Sequence, residues 1–409
     1  MHIIILGAGY AGLRAALDLA KAKRKGQLGA ASITLVDRND YHQVVTWLHN
    51  IAAAAIEPKM ARIPLKKLLP LHNPANLRGG RGGAGGITFQ QATVEGIAPN
   101  EQRVILKDGT TGTPARFSLV YDRLVVALGS ETVWPPIMGL RDHALPMRWW
   151  KEAVAIRKTI EHNFALAAKT KDAERKRLAT IVVIGGGYTG CQLAGELTHW
   201  LPELADKYGI SLFDLTLRQI EAKARLMSGW DERLAYKAEQ ILRRKGVQIL
   251  LNSPVERIDD KTVKIQGKKP IPYGTIIWAG GVKAPAMLKT SGFSTGAQGR
   301  VEVDQFLRAK GFPNIYMIGD NSLWMDGDQP LPATASHALR QGAYVARMLR
   351  RDLDAQTLIN YEPTKLGLVV ALGGNDGVGT ALGVPLSGIA AGILKEGIET
   401  WYLSTIGAA

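Results

Sequence analysis

The chain has one cysteine, Cys191, in 409 residues. One thiol excludes a disulfide framework, a thiolate metal cluster and a CxxC redox pair. It also excludes disulfide-reductase and sulfide-oxidising chemistry, both of which need redox cysteines. Cys191 follows Gly190 at a helix start, where a thiolate gains stability, but the buried, small apolar role is the favoured one. Long hydrophobic runs are missing too. No apolar stretch reaches the roughly 18 residues of a membrane span, and a strand pattern begins at His2 with no leader before it. A cytosolic body is expected. Acidic residues are few, with 36 Asp and Glu against 51 Lys and Arg, a formal net charge of +15. That imbalance points to an anionic partner surface, either membrane or nucleic acid. The 46% hydrophobic content is ample for two cores and an appendage.

What is present, twice, is the pattern GxGxxG. Gly7, Gly9 and Gly12 close the apolar run Ile3-Ile4-Ile5-Leu6, and Gly185, Gly187 and Gly190 close Ile181-Val182-Val183-Ile184. Each opens a helical pattern. In such a unit the first Gly makes the tight turn, the second lets backbone approach a pyrophosphate, and the third lets helix and strand pack closely. Two copies predict two dinucleotides. A carboxylate ending the next strand takes both hydroxyls of an adenosine ribose. Asp37 closes Ile33-Thr34-Leu35-Val36 and Glu221 closes Leu215-Thr216-Leu217-Arg218-Gln219-Ile220. Glu221 would repel a 2′-phosphate and favour NADH over NADPH, while Lys223 and Arg225 pull the other way.

The repeat continues past the fingerprints. Unit one runs through Val94, Val104 to Leu106, an Asp108-Gly109 turn and Leu124 to Gly129; unit two through Val255, Val263 to Ile265 and Ile276 to Gly281. Period-2 strands around short turns predict a small antiparallel sheet laid on each parallel one. Arg78-Gly79-Gly80-Arg81-Gly82-Gly83-Ala84-Gly85-Gly86 is similar to the RGG segments of RNA-binding tails. It lacks interleaved aromatics, and a flexible loop inside the first domain is the favoured reading.

A third block, Asn314-Ile315-Tyr316-Met317-Ile318-Gly319-Asp320, is a strand ending in Gly-Asp, and Pro332-Ala333-Thr334-Ala335 leads into a helix. With the two fingerprints, these resemble the two-dinucleotide-binding flavoproteins. Within that group, Asp37-Arg38-Asn39-Asp40-Tyr41-His42, Gly185-Gly186-Gly187-Tyr188-Thr189-Gly190, Trp278-Ala279-Gly280-Gly281-Val282 and the stretch Gly377 to Gly388 resemble the type II NADH:quinone oxidoreductases. The resemblance covers nearly the whole chain apart from the Arg/Gly insert. It implies an α/β fold of two Rossmann-like dinucleotide-binding domains. The FAD domain is split between 1–147 and 300–351, the NADH domain lies at 148–299, and an amphipathic membrane-contact region follows at 352–409. It implies hydride transfer from NADH to FAD and two electrons passed to a quinone, without proton pumping. FAD would be held by Gly7, Gly9, Ala11, Gly12, Asp37, Arg38, Thr46, Val94, Ala127, Gly129, Gly319, Asp320 and Ala335. NADH would be held by Gly185, Gly187, Tyr188, Thr189, Gly190, Glu221 and Gly281. The helix opening near Ala335 would aim its positive end at the flavin pyrimidine edge, where a reduced flavin carries its charge.

The quinone half departs from the family pattern. The family's Glu two residues after the last fingerprint Gly is here Gln192, which cannot ionise. The family's AQxAxQQ motif reads Ala335-Ser336-His337-Ala338-Leu339-Arg340-Gln341, so two glutamines have become Ser336 and Arg340. The candidate catalytic residues are Gln192, which would orient a quinone carbonyl, His337, a proton source near neutral pH, and Lys395, which matches a family lysine near the flavin. From Ile389, apolar residues recur at Ala390, Ile393, Leu394, Gly397, Ile398, Trp401 and Tyr402, while Lys395, Glu396, Glu399 and Thr400 fall elsewhere on the helix. This amphipathic helix and the net positive charge predict monotopic attachment to an anionic membrane surface at the cytoplasmic face of the cell membrane. The alternative is a helix packed on the FAD domain. A quinone and that membrane are the expected partners, a homodimer is admitted, and nucleic acid is disfavoured. A second reading stays open: a flavoprotein resembling apoptosis-inducing factor, slowly reduced by NADH, whose basic surface binds nucleic acid or a partner protein.

Overall fold

The computed structural model describes residues 1–70, 86–109 and 115–408; the Arg/Gly stretch expected to be a flexible loop lies outside them apart from Gly86. The first part of the chain forms β1 (His2–Leu6), α1 (Tyr10–Arg24), β2 (Ser32–Asp37), α2 (Leu48–Ala52), β3 (Thr88–Ala98), β4 (Arg103–Asp108), β5 (Arg116–Val120) and β6 (Arg123–Val126). The middle forms β7 (Leu145–Pro146), α3 (Trp150–Ala167), β8 (Thr180–Ile184), α4 (Tyr188–Lys207), β9 (Thr216–Ile220), α5 (Glu232–Arg244), β10 (Gln248–Leu250), β11 (Val255–Ile258), β12 (Thr262–Ile265), β13 (Ile271–Pro272) and β14 (Thr275–Trp278). The last part holds β15 (Ile315–Met317), α6 (Ala335–Leu353), β16 (Gly367–Ala371), β17 (Gly377–Ala381), β18 (Val384–Gly388) and α7 (Ile389–Thr405).

Two parallel sheets form the frame. The first runs β15-β6-β1-β2-β3-β4-β5 and the second β7-β14-β8-β9-β10. In each, the fingerprint strand sits between the strand that ends in a carboxylate and a later apolar strand, so Leu6 pairs with Val36 and Val126 and Ile184 with Ile220 and Trp278. Ile3, Ile4, Ile5 and Leu6 are fully buried, as expected of a central parallel strand covered on both faces. Ile3 and Ile5 pack under α1 and α6, while Ile4 and Leu6 face Leu106, Leu124 and Leu288 on the other side. Leu145 and Pro146 pair with the second sheet, upstream of the boundary expected at 147.

The antiparallel layers differ from expectation in the first unit. β3 is long enough to pair in parallel with β2 through Thr88 to Gln91 and then antiparallel with β4 from Ala92 to Ala98. The first antiparallel layer is therefore an extension of the main sheet. In the second unit β11-β12-β13 form a separate sheet, as anticipated.

The C-terminal β16-β17-β18 meander and α7 close onto both units. Val370, Leu372 and Val378 share one apolar cluster with Ile51 and Ala52 of α2, Ile156 and Ile160 of α3 and Leu193 and Leu197 of α4. The approach is closest at Gly195 of α4, where a Cβ would stand 2.3 Å from the Leu372 carbonyl carbon. No helix among the described residues is long and apolar enough to cross a membrane.

Helix α7 splits its apolar residues between two faces. Ile389, Ile393, Ile398 and Trp401 are exposed, Trp401 at 58%. Tyr402, expected on the same stripe, turns inward. It stacks on Tyr10 with centroids 4.6 Å apart, and its hydroxyl lies 2.7 Å from His42 Nε2. The other ring nitrogen, Nδ1, is 2.9 Å from the Ala8 carbonyl, which can only accept. Nδ1 therefore carries the proton, Nε2 is bare, and the Tyr402 hydroxyl donates to it. Burial pushes the His42 imidazole down to about 4, so it stays neutral.

Two consequences can be measured. Gly195→Ala should overpack the contact with the C-terminal meander and destabilise by about 1–3 kcal/mol, seen as a lower thermal midpoint. Tyr402→Phe should leave the buried His42 Nε2 without a donor, at a cost of about 1–3 kcal/mol. Trp401→Phe, one residue away on the exposed face, should move the midpoint little.

Candidate dinucleotide and redox site

Both fingerprints lie at the carboxyl ends of their strands, the crevice where open α/β sheets bind ligands. At Gly7, with φ +98°, a Cβ would stand 2.2 Å from the Ala127 carbonyl oxygen; at Gly12 it would stand 1.9 Å from the Gly7 carbonyl oxygen. The second unit repeats this, with Gly185 at φ +119° against Ala279 and Gly190 2.1 Å from the Gly185 carbonyl oxygen. The middle glycines are different: nothing of the protein lies within 4 Å of a Cβ at Gly9 or Gly187. The protein's own packing demands glycine at the outer positions. At the middle position the close approach is left open to something outside the chain, which is what a pyrophosphate cradle requires.

The strand-end carboxylates hold these loops. Asp37 accepts from the Ala8 N–H at 2.7 Å and the Asn39 N–H at 2.8 Å, against burial that raises its pKa. Glu221 accepts from the Gly186 N–H at 2.5 Å and the Lys223 N–H at 2.8 Å. Each carboxylate oxygen keeps a lone pair for a further donor. The cations near Glu221 are engaged elsewhere, the Lys223 ammonium with the Ser228 hydroxyl and Arg225 with Glu232. A polar side chain also donates to each loop's carbonyl, His42 to Ala8 and Gln219 to Gly185.

Gly319 and Asp320 lie where α1 and α6 begin. A Cβ at Gly319 would be 3.3 Å from Ala11 Cβ and 3.6 Å from Ala338 Cβ. The Gly319 N–H donates to Gln341 Oε1 at 2.6 Å, and the Ser130 hydroxyl donates to Asp320 Oδ2 at 2.6 Å. Arg148, nearly buried, reaches the same carboxylate at 3.7 Å and donates to the Ser130 carbonyl at 3.2 Å. Asn321 spans Gly129, accepting from the Leu128 N–H and donating to the Gly129 carbonyl. Ser130, Arg148, Asn321 and Gln341 were missed as site residues. Three adjoin Gly129, Gly319-Asp320 or the α6 motif, a signal that was available; Arg148 gave none.

The other candidates fall around this centre. Thr46 is 3.1 Å from the Tyr10 hydroxyl, and Arg38 and Arg148 both stack over Trp149. Val94 sits at the bulge of β3, opposite Leu106, and Ala127 is tied to Leu6. α6 starts at Ala335, with Thr334 as its cap accepting from the His337 N–H. In the second unit Tyr188 meets Trp230 edge-on, Thr189 is exposed in the first turn of α4, and Gly281 has φ +119°. Cys191 is buried and its thiol is pushed up to about 12, an inert position in the core.

The three catalytic candidates differ in character. Gln192 is half-buried on α4. His337 is held below its ordinary pKa by burial and then by Arg340 and Arg300, so it is neutral at pH 7, and its buried Nδ1 has no partner among the described residues. The two replacements beside it pair with each other, Arg340 donating to the Ser336 carbonyl and hydroxyl. Lys395 forms a largely buried ion pair with Glu399, one turn along α7. His49 of α2 is pushed down to about 3, first by burial and then by the Lys395 charge.

The family model described as pyridine nucleotide-disulphide oxidoreductase matches residues 1–342. The type II NADH:quinone oxidoreductase of Staphylococcus aureus (strain NCTC 8325 / PS 47) is 32% identical over 410 residues, spanning 99% of this chain and 96% of that protein. Among solved structures, NDH2 of Plasmodium falciparum in complex with NADH superposes with a TM-score of 0.84 at 17% identity, over 100% of this chain and 96% of that one. The sulfide:quinone oxidoreductase of Aquifex aeolicus superposes with a TM-score of 0.76 at 18% identity, over 99% and 91%. Fold, fingerprints and full-length similarity agree: the chain belongs to the pyridine nucleotide-disulphide oxidoreductase family and, within it, to the type II NADH:quinone oxidoreductases.

Proposed function

We propose that this protein oxidises NADH and reduces a quinone at a membrane surface, through FAD held noncovalently and without proton pumping. The observation that carries this is the pair of glycine cradles, each with a strand-end carboxylate, together with the Asp320 centre where two helix N-termini meet. FAD supplies the two-electron carrier between a hydride donor and the quinone. The residues present fit it. Gly9 leaves open the approach a pyrophosphate needs, Asp37 has lone pairs free for ribose hydroxyls, and α1 and α6 aim their positive ends at the same place.

In this reading the FAD domain comprises 1–147 and 300–351, the NADH domain 148–299, and the membrane region 352–409. Gly185, Gly187, Gly190 and Glu221 hold NADH, with Tyr188, Thr189 and Gly281 around it. Gln192 orients the quinone by donation and does not titrate. Lys395 offers its protons to the reduced quinone, and His337, neutral at pH 7, serves to shape the pocket. Steady-state NADH oxidation with a short-chain quinone tests the whole assignment. Rapid turnover is the expected result; slow flavin reduction without turnover would overturn it in favour of a flavoprotein that binds NADH without respiratory activity.

Glu221 makes NADH the preferred donor. Glu221→Arg should lower kcat/KM for NADH by at least about 100-fold, the loss of two charge-assisted hydrogen bonds of about 1.5–3 kcal/mol each, while raising the relative use of NADPH. An unchanged ratio would place ribose recognition elsewhere.

The exposed Ile389, Ile393, Ile398 and Trp401 on α7, with Leu382 and Val384 in the adjoining hairpin, form the surface we assign to the bilayer, on its cytoplasmic face. The double substitution Ile393→Glu, Trp401→Glu should cut cosedimentation with anionic vesicles by at least about 10-fold and leave the FAD content unchanged.

A further inference from the structure

A pyrophosphate cradle works through its amide N–H groups, so the direction of each peptide plane in the glycine turn decides whether a donor faces the ligand. A trans peptide sets its C=O and N–H on opposite sides. Holding the Ala8 carbonyl therefore also aims the Gly9 N–H, at the position where nothing of the protein lies within 4 Å of a Cβ. The two turns are otherwise built alike. Asp37 accepts from the Ala8 N–H and Glu221 from the Gly186 N–H. Val36 and Ile220 accept from Gly7 and Gly185, and Gly9 and Gly187 accept from Leu13 and Cys191.

They differ in what holds the carbonyl before the middle glycine. In the second unit the Gly186 carbonyl accepts from the Met227 N–H at 2.7 Å, and Tyr188, the residue after the middle glycine, meets Trp230 with centroids 5.7 Å apart. Both partners follow closely on β9, within the same unit. In the first unit these two tasks fall to the far end of the chain. The Ala8 carbonyl accepts from His42 Nδ1 at 2.9 Å, and His42 Nε2 accepts from the Tyr402 hydroxyl at 2.7 Å. Tyr10, the counterpart of Tyr188, stacks on Tyr402 with centroids 4.6 Å apart. His42 and Tyr402 are 0% and 4% exposed, and Tyr402 and Ile406 share one apolar cluster with Ala8, Tyr10 and Ala11. The short strand Tyr41–Gln43 that carries His42 pairs with Arg62–Pro64, which fixes its backbone and leaves the ring to be set by its two hydrogen bonds.

We propose that Tyr402, acting through His42, presets the FAD cradle, so that the C-terminal helix α7 is a working part of the FAD site while the NADH site needs nothing from it. The proposal rests on the placement of FAD at Gly7, Gly9 and Gly12. Both residues are positioning residues for the turn. The Tyr402 O–H polarises the imidazole and strengthens its Nδ1–H as a donor. It also keeps Nε2 paired, so the ring has one orientation and one tautomer. Without it the buried ring carries a bare nitrogen, and the Ala8–Gly9 peptide loses a fixed partner. The cost falls on cofactor binding, because a free turn can rotate its carbonyl toward water and a turn closed on a pyrophosphate cannot.

The test measures cofactor affinity rather than turnover. Apoprotein is titrated with FAD by the quenching of flavin fluorescence, and the oxidised protein at saturating FAD is titrated with NAD⁺. Tyr402→Phe should raise the FAD dissociation constant by at least about 5-fold and leave that for NAD⁺ within about 2-fold. His42→Leu should raise the FAD constant at least as far. His42→Asn, whose amide can donate from the place of Nδ1–H, should keep it within about 3-fold of the wild type, and adding Tyr402→Phe to His42→Asn should change little, since the two residues act through one path. Gly195→Ala, which strains the contact with the C-terminal meander, controls for lost stability and should leave FAD affinity within about 2-fold.

An unchanged FAD constant in Tyr402→Phe, an equal rise for FAD and NAD⁺, or the same rise in Gly195→Ala would overturn the role of Tyr402. A Gly9→Val variant that binds FAD as tightly as the wild type would instead overturn the placement of FAD in this turn, and the role of Tyr402 with it.

Discussion

Both halves of the molecule depend on one interaction, a strand-end carboxylate that captures the first free N–H of the glycine turn beside it. Asp37 holds Ala8 and Glu221 holds Gly186. A carboxylate buried among backbone amides is costly unless hydrogen-bonded, and here two amides meet it in each unit. The bond fixes the turn against the neighbouring strand, so the loop has one shape before any nucleotide arrives. Each oxygen retains acceptor capacity, and the acid that shapes the cradle is also the one that would read the ribose. Substituting it would remove both roles together.

From that constraint the rest of the architecture follows by close approach. Gly12 brings α1 onto the Gly7 carbonyl, Gly342 brings α6 onto the Ala11 carbonyl, and Gly319 is lodged between Ala11 and Ala338. Two helix N-termini are thereby aimed at one point with Asp320 beside them. The positive helix ends favour an anion there, and Asp320 keeps the nearly buried Arg148 guanidinium paired.

The parts legible in the sequence were those encoded within a few residues of each other. The glycine spacing, the carboxylates closing β2 and β9, the paired strand runs and the amphipathic pattern of α7 are local signals, and they were enough to identify two Rossmann-like units and the family. What escaped were contacts between distant segments. Tyr402 and His42 are 360 residues apart, and nothing in the α7 pattern separates a tyrosine that donates to a buried imidazole from one that lies in an interfacial belt. Arg148 is one of many arginines until the fold sets it against Ser130 and Asp320. The length of β3 hid the fusion of the first antiparallel layer with the main sheet, because a strand that changes partners halfway keeps the same alternation throughout. Glu196 reads as an ordinary helix acid until the fold buries it and pushes its carboxyl up to about 7.

The division between legible and illegible follows the chemistry. Binding a dinucleotide is a backbone task, done by turns and helix ends, and turns leave their mark in glycine spacing. Moving a proton is a side-chain task, set by which titratable groups share a buried contact. In this chain such groups come from distant segments: Lys395 and Glu399 pair on α7, and the Lys395 charge acts on His49 of α2. Gln192 breaks the local motif, yet the same helix face presents Glu196 one turn later. The replacement of a titratable residue is therefore informative only alongside its neighbours in the fold, since burial pushes the Glu196 carboxyl up to about 7 on the same helix.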